Sequence, residues 1–250
     1  MKTIKGIWRF SRVICYTFVC LFQAYTRFKH VDRKEKGRML RYYPTQVLKL
    51  AGVRCSYEGH VPELLHECGL TDTPPACLVL SNHVSWLDIF SLDSQLPSRF
   101  IAKAEIAKWP IFGLIAQQIG TLFINRSSKR AILRINDDIR GALCNCEAVT
   151  IFAEGTTTFG NELLPIKANF IAPACEIGAT VQPVILSYKN KGKPTKQAAF
   201  SGDVTLFGSL WNVVTMEDAE VVVHFLEPIT NTKDLTRHEV AKICEERMRA

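Results

Sequence analysis

The chain has 250 residues, 47% of them hydrophobic, and a formal charge of +7 at neutral pH. This length and apolar share support one α/β domain with a sizeable core, alone or with an appendage, and exclude bulk disorder. Nine cysteines, an odd number without a Cys-x-x-Cys, exclude a disulfide framework; they imply reduced, mostly buried thiols and a cytosolic-facing location.

The charge is unevenly placed. Residues 1–41 carry eleven Lys and Arg against Asp32 and Glu35, a net +9, which leaves −2 for the rest. Such a basic segment suits nucleic acid or an anionic membrane surface. Its first element, "GIWRFSRVICYTFVCLFQAYTRF", is apolar and aromatic, with Arg9 and Arg12 inside it. The uninterrupted stretch Val13–Ala24 is too short for an ordinary membrane span. A secretory signal is disfavoured: no small-residue cleavage site follows, and the next segment is densely basic. An interfacial or partly inserted helix fits, with Trp8, Phe10, Tyr16, Phe18, Phe22, Tyr25 and Phe28 at headgroup level and cations at both ends. The plainer reading is a helix packed on its own domain. A second helix over about Glu35–Leu50 is basic on one side and continues the surface. A nucleic-acid arm suits this aromatic density less well than a bilayer does, and no recognised nucleic-acid module follows. Residues 1–50 are therefore expected to be membrane-associating helices and 51–250 the α/β domain.

From residue 55 onward, short apolar runs alternate with helical stretches. Strands are expected at Ala76–Leu80, Phe100–Ala102, Thr121–Ile124, Val149–Ala153, Val181–Tyr188 and Val221–Leu226. The clearest helix is Ser128–Cys146, where Ile132, Ile135, Ile139 and Leu143 recur at helical spacing; Arg237–Arg249 is a terminal amphipathic helix. This predicts an α/β fold with a largely parallel central sheet flanked by helices, preceded by the N-terminal membrane-associating helical segment. In such sheets chemistry gathers at strand ends. His60, His66 and Cys68 fit no zinc-ligand spacing, and no metal is expected.

Directly after the first buried strand stands "SNHVSWLDIF", residues 81–90. His83 and Asp88 are five apart, whereas neighbours on one helix face are three or four apart. For the two side chains to meet, His83 must sit at the strand end and Asp88 in the first helical turn. The alternative is that Asn82 caps a helix and His83 is incidental.

Four stretches follow the expected strands: "NHVSWLD" (82–88), "GTLFINR" (120–126), "FAEGTTT" (152–158) and "VQPVI" (181–185). Together, in this order over roughly 110 residues, they resemble the four blocks of the glycerolipid acyltransferase family, which includes the lysophosphatidic acid acyltransferases. Asn-His-x4-Asp is complete. Phe123, Ile124 and Arg126 match the second block; Phe152, Glu154, Gly155 and Thr156 match the third; Pro183 matches the fourth. The stretch "AKAEIAKWPIFG" (102–113) is also similar to the family between the first two blocks.

The resemblance implies acyl transfer from a carrier thioester, acyl carrier protein or coenzyme A, to a lysolipid hydroxyl, without metal or bound cofactor. An alcohol at neutral pH needs a base to attack a thioester. An imidazole at position 83 can serve, and Asp88 can fix its tautomer and stabilise the imidazolium that forms. The substrate brings its own nucleophile. The resemblance places Arg126, Glu154, Gly155 and Thr156 at the acceptor headgroup. Arg126 can pair with a phosphate through two parallel hydrogen bonds. Glu154 can orient a hydroxyl or accept from an ammonium; its bland reading is a solvated loop acid. Gly155 allows close backbone approach, near amides that can donate to a developing oxyanion. Pro183 shapes the pocket. Lys103 and Lys167 are lesser candidates for acidic groups of donor or acceptor.

There is one departure. The third block often reads Glu-Gly-Thr-Arg, and its arginine is assigned to the acceptor phosphate; here Thr157 stands in that place. Glu-Gly-Thr-Thr, with "AFSGDVTLFGSLW" (199–211) downstream, is similar to the lyso-ornithine lipid acyltransferase branch. The leading acceptor is 1-acylglycerol-3-phosphate, giving phosphatidic acid at the cytoplasmic face of a membrane. Lyso-ornithine lipid is the alternative acceptor, and a non-catalytic lipid-binding protein at the membrane surface is the alternative class.

Overall fold

The structure is a computed structural model and describes residues 2–60, 77–125, 128–160 and 162–250. Two long helices lead: α1 (Lys2–Thr26) and α2 (Arg33–Ala51). The rest alternates strands and helices: β1 (Val53–Gly59), β2 (Cys77–Ser81), α3 (Leu87–Asp93), β3 (Ser98–Lys103), α4 (Phe112–Gln118), β4 (Leu122–Ile124), α5 (Lys129–Cys144), β5 (Ala148–Phe152), α6 (Ala172–Ile177), β6 (Thr180–Asn190), β7 (Lys193–Pro194), α7 (Leu206–Val214), β8 (Ala219–Phe225) and α8 (Arg237–Arg249).

The sheet runs β1-β8-β6-β2-β5-β3-β4, with β7 paired to β6. From β6 to β4 every neighbour is parallel; β8 turns antiparallel to β6, and β1 follows β8 in parallel. The alternation expected from sequence therefore gives the expected largely parallel sheet. Strand β2 is fully buried and reads as a continuous apolar run because both its faces are covered. Cys77 and Val79 join one helical layer, and Leu78 and Leu80 join the other. The first layer takes Val13 of α1, Val47 and Leu48 of α2, Leu87 and Leu92 of α3, and Leu210 and Val213 of α7. The second takes Ile135, Ile139 and Leu143 of α5, Ala174 of α6, and Val240 and Cys244 of α8. Each such aliphatic side chain removed from water contributes about 1.5–3 kcal/mol.

Strand β1, the two-residue β7 and helix α7 are not singled out in the sequence reading. Strand β1, "VRCSYEG", is an edge strand that is half exposed along its length, so it never shows as an apolar run. Helix α7 contains Gly208 and Ser209, both poor helix formers; it is secured by Thr205, whose hydroxyl accepts from Gly208 N at 3.1 Å.

Helix α1 presents two stripes. Ile4, Trp8, Phe18 and Phe22 face solvent at 73%, 63%, 53% and 63% exposure, and Tyr25 extends the row. Gly6, Val13, Thr17 and Ala24 are buried. Three of the seven aromatics expected at headgroup level turn inward, as helical periodicity dictates for a helix with one side on a core. Phe28 is buried, Phe10 packs on Phe207 and Trp211, and Tyr16 packs on Tyr43. Arg9 also turns inward, donating to the carbonyls of Val214 and Met216 at 3.1 and 2.9 Å. Its guanidinium lies against Gly52, the left-handed cap of α2 (φ 77°), where a Cβ would fall 2.1 Å from Cζ. The positive φ is what calls for glycine there; a Cβ would in addition displace the Arg9 guanidinium. Among the described residues, no helix is long and apolar enough to cross a membrane.

The cysteines differ from expectation. Among the eight described, all free, only Cys77 and Cys244 are buried, while Cys15 and Cys144 are exposed. Cys20, Cys55, Cys146 and Cys175 are half-buried. His66 and Cys68 lie outside the described residues. Among the described residues no cluster of three potential metal ligands occurs.

Candidate active site

Strand β2 ends at Ser81, and residues 82–86 leave it in a short loop before α3 begins at Leu87. His83 lies on that loop and Asp88 in the first turn of α3, so a five-residue separation closes into a contact. His83 Nδ1 and Asp88 Oδ2 are 2.8 Å apart. Oδ2 also accepts from the backbone N–H of Val84 at 2.7 Å and of Ser85 at 2.9 Å. Oδ1 accepts from the hydroxyl of Tyr188. Asp88 is wholly buried, and both its oxygens accept hydrogen bonds. It fixes the proton of His83 on Nδ1 and leaves Nε2 as the basic nitrogen. The imidazole retains 19% exposure.

The loop carrying His83 is held on every side. Asn82 spans to β6 through a reciprocal pair: its amide donates to Leu186 O at 3.0 Å, and its oxygen accepts from Leu186 N at 2.8 Å. Asn82 is thus a cross-strand tie and not a helix cap. The imidazole stacks on Phe152 at the end of β5, with centroids 3.8 Å apart and planes 9° from parallel. The backbone carbonyl of His83 accepts from Thr158 N at 2.8 Å.

Glu154 follows β5 and is buried, at 3% exposure. One oxygen accepts from His83 N at 3.1 Å and the other from Leu164 N at 3.1 Å. Burial pushes its carboxyl up from the usual range, and these two N–H groups, with His83 nearby, oppose that push. Glu154 therefore binds the protein's own backbone and joins the His83 loop to the loop at Leu164. Gly155 adopts φ 76°, which lets the chain reverse directly after this buried acid. Thr156 is exposed at the rim. The Thr157 hydroxyl donates to Phe200 O, the Ser201 hydroxyl to Thr157 O at 3.4 Å, and Phe200 N to Val84 O at 2.8 Å. Segment 199–201 is thereby bound to the rim of the site.

Of the residues singled out in the sequence, His83, Asp88 and Glu154 come together directly, with Gly155 and Thr156 adjoining. Arg126 lies outside the described residues; Ile124, the last residue of β4, is buried just before it. Pro183 is buried in β6 opposite Leu80. Lys103 and Lys167 are exposed, and Lys167 N donates to Ala153 O at 3.2 Å. Sequence reasoning missed Tyr188 and gave Phe152 no role beyond a block match. A polar-tipped aromatic in a largely buried strand was the signal for Tyr188.

An α/β sheet with a carboxylate-held imidazole at the C-terminal ends of its central strands is the framework of a group-transfer enzyme or hydrolase. Residues 62–187 match the family described as Acyltransferase, and the chain belongs to that family. A 1-acyl-sn-glycerol-3-phosphate acyltransferase of Neisseria gonorrhoeae is 39% identical over 178 residues, covering 71% of this chain and 69% of that protein. A lyso-ornithine lipid O-acyltransferase of Pseudomonas aeruginosa is 40% identical over 172 residues, covering 69% of this chain and 66% of that protein. Another, from Rhizobium meliloti, is 32% identical over 232 residues, covering 88% and 76%. The crystal structure of the 1-acyl-sn-glycerophosphate acyltransferase PlsC from Thermotoga maritima superposes with a TM-score of 0.68 over 99% of this chain and 95% of that chain; at 18% identity the likeness is one of fold.

Proposed function

We propose that this acyltransferase moves a fatty acyl group from a carrier thioester to the hydroxyl of a lysolipid at a membrane surface, with 1-acylglycerol-3-phosphate as acceptor and phosphatidic acid as product. The single observation that carries the chemistry is the pair His83 and Asp88, 2.8 Å apart with every Asp88 oxygen satisfied. In the reaction Nε2 of His83 removes the proton of the acceptor hydroxyl as its oxygen attacks the thioester carbon. Asp88 stabilises the imidazolium. Collapse of the tetrahedral intermediate breaks the carbon–sulfur bond, and His83 returns the proton to the thiolate. No residue of the chain is acylated.

Membrane association rests on the exposed stripe Ile4, Trp8, Phe18 and Phe22 and the basic charge around it. The donor is acyl carrier protein or coenzyme A thioester. Arg126 is the residue proposed for the acceptor phosphate. A second reading, lyso-ornithine lipid as acceptor, is favoured by Thr157, which stands where the family's third block often has an arginine and whose hydroxyl is turned to Phe200 O. Acceptor competition separates the two: purified protein, one acyl thioester, and lysophosphatidate with lyso-ornithine lipid present together, the products identified by mass. Dominant phosphatidic acid supports the first reading, and dominant ornithine lipid replaces it with the second. Binding of either lipid without product overturns the enzymatic reading.

A further inference from the structure

Tyr188 belongs to no block of the family resemblance, yet it touches the dyad. It sits on β6, two residues beyond the Leu186 that holds Asn82, and is 5% exposed. Its ring lies in the apolar layer with Val184 and Leu186, and its hydroxyl reaches across to Asp88. Among the described residues, Oδ1 of Asp88 takes its hydrogen bond from Tyr188 alone, while Oδ2 serves His83, Val84 and Ser85. A carboxylate turns readily about its last torsion, whose preferences are broad. Holding both oxygens from opposite sides is what fixes its plane.

We infer that Tyr188 is a positioning residue for acyl transfer: its hydroxyl holds Oδ1 of Asp88 and thereby keeps Oδ2 directed at His83. This rests on the reading of His83 as general base. The second consequence is electrostatic. A hydrogen bond given to a carboxylate draws charge away from its other oxygen, so Tyr188 moderates how strongly Asp88 favours the imidazolium. The ionisable groups around this set are Glu154 at the end of β5, Asp88 on α3, and Cys55 on β1 beyond Tyr188, itself beside Tyr57. Burial raises the pKa of Tyr188 and of Cys55 alike, so both hold their protons more tightly and Tyr188 remains a donor.

The test compares full-length wild type, Tyr188→Phe, and protein carrying 3-fluorotyrosine at position 188, in steady-state assays from acid to alkaline pH. Phenylalanine removes the donor and keeps the ring; fluorotyrosine keeps the ring and donates more strongly. Tyr188→Phe is expected to lower kcat by about tenfold or more, the worth of one hydrogen bond to a charged group, with KM for the lysolipid unchanged. The acid limb of kcat/KM should move to higher pH in Tyr188→Phe and to lower pH with fluorotyrosine. A role in packing alone would move neither limb. If Tyr188→Phe fails to fold, the fluorotyrosine limb decides. Limbs that coincide in every folded variant overturn the inference while leaving His83 as base. Near-native turnover in His83→Ala would overturn the base reading itself.

Discussion

His83 lies flat on Phe152, 3.8 Å between ring centroids, while its edge is bonded to Asp88 at 2.8 Å. One contact restrains the ring by its face and the other within its plane. Together they leave the imidazole no rotation that keeps both. The face contact comes from β5 and the edge contact from α3, so two separate elements must be in register for the base to be aimed. An aromatic face also tolerates the cation that forms on the ring during proton transfer. Phe100 continues the stack behind Phe152 at 5.9 Å, so the platform is itself supported from β3.

Replacing His83 by alanine should lower kcat by about 10²–10⁴, because positioned proton transfer is worth that much. Affinity for the lysolipid should hardly change. Asp88→Asn should be comparably damaging: an amide can accept on one side only, so it cannot satisfy His83, the two backbone N–H groups and Tyr188 together. Single-turnover rates with a fixed thioester check both, and a folded His83→Ala protein at near-native rate would remove the mechanism.

Glu154→Gln tests whether this residue serves substrate or scaffold. Both its oxygens face N–H groups, of His83 and Leu164. The amide nitrogen of glutamine would oppose one of them, leaving buried donors unsatisfied at a cost of about 1–3 kcal/mol. The expected result is a lower unfolding midpoint together with a lower kcat. If kcat falls with stability intact, Glu154 acts on substrate as the family resemblance implies.

The positions of the main strands along the chain, their largely parallel sheet and the meeting of His83 with Asp88 were legible because they rest on short apolar runs and one tight turn. The block Asn-His-x4-Asp locates the dyad before any coordinates. What was not legible depends on distant partners. Tyr188 stands 100 residues from Asp88 and reads as a core aromatic. Glu154 and Thr157 carry polar groups that sequence assigns to substrate, but the backbone of His83 and Leu164 partners the first and the backbone of Phe200 the second. Six aromatics in α1 look alike in one dimension. Only their rotation about the helix, fixed by Val13 in the core, separates Trp8 from Phe10.

Asp93 offers a pH test away from the dyad. It is buried at the end of α3, and burial pushes its carboxyl well above the usual range, opposed by one bond from Ser98 N at 3.0 Å. The folded protein therefore holds this proton more tightly than the unfolded chain does. Stability should fall as pH rises from the ordinary carboxylate range through the raised value, by at most about 1.4 kcal/mol per pH unit for one proton. Asp93→Asn keeps the acceptor for Ser98 and has no proton to lose. Denaturant titrations at several pH values should show that slope in wild type and a shallower one in the variant. Equal slopes would assign the pH dependence to other groups.

Deleting α1 would be a poor test of membrane binding, because Val13 and Arg9 tie it to the core. Substituting Trp8, Phe18 and Phe22 together by serine removes mostly exposed surface, so the unfolding midpoint should fall only slightly. Each aromatic seated in a bilayer contributes about 1.5–3 kcal/mol, so sedimentation with anionic vesicles should weaken by tenfold at least. High salt should weaken the wild type further only through its basic residues. A triple variant that sediments like the wild type would place the membrane face elsewhere.

Thr157 decides between the two acceptors, and its structural role requires a paired design. Its hydroxyl holds Phe200 O, and the segment from Phe200 to Ser201 closes against Val84 and Thr157 in turn. Thr157→Val keeps the shape, loses that bond and adds no charge. Thr157→Arg loses the same bond and brings a guanidinium to the rim. The valine variant therefore measures release of the segment, and the difference between the variants measures the charge. A charge-assisted contact to phosphate is worth about 1.5–3 kcal/mol, so arginine should lower KM for lysophosphatidate about tenfold to a hundredfold relative to valine. Toward lyso-ornithine lipid the new cation meets an ammonium in a confined site, and activity should drop below that of valine. Opposite movements on the two acceptors, measured with one thioester donor, would place residue 157 at the headgroup. Equal movements would make it a fastening for segment 199–201 alone, and the threonine would then no longer argue against a phosphate-bearing acceptor.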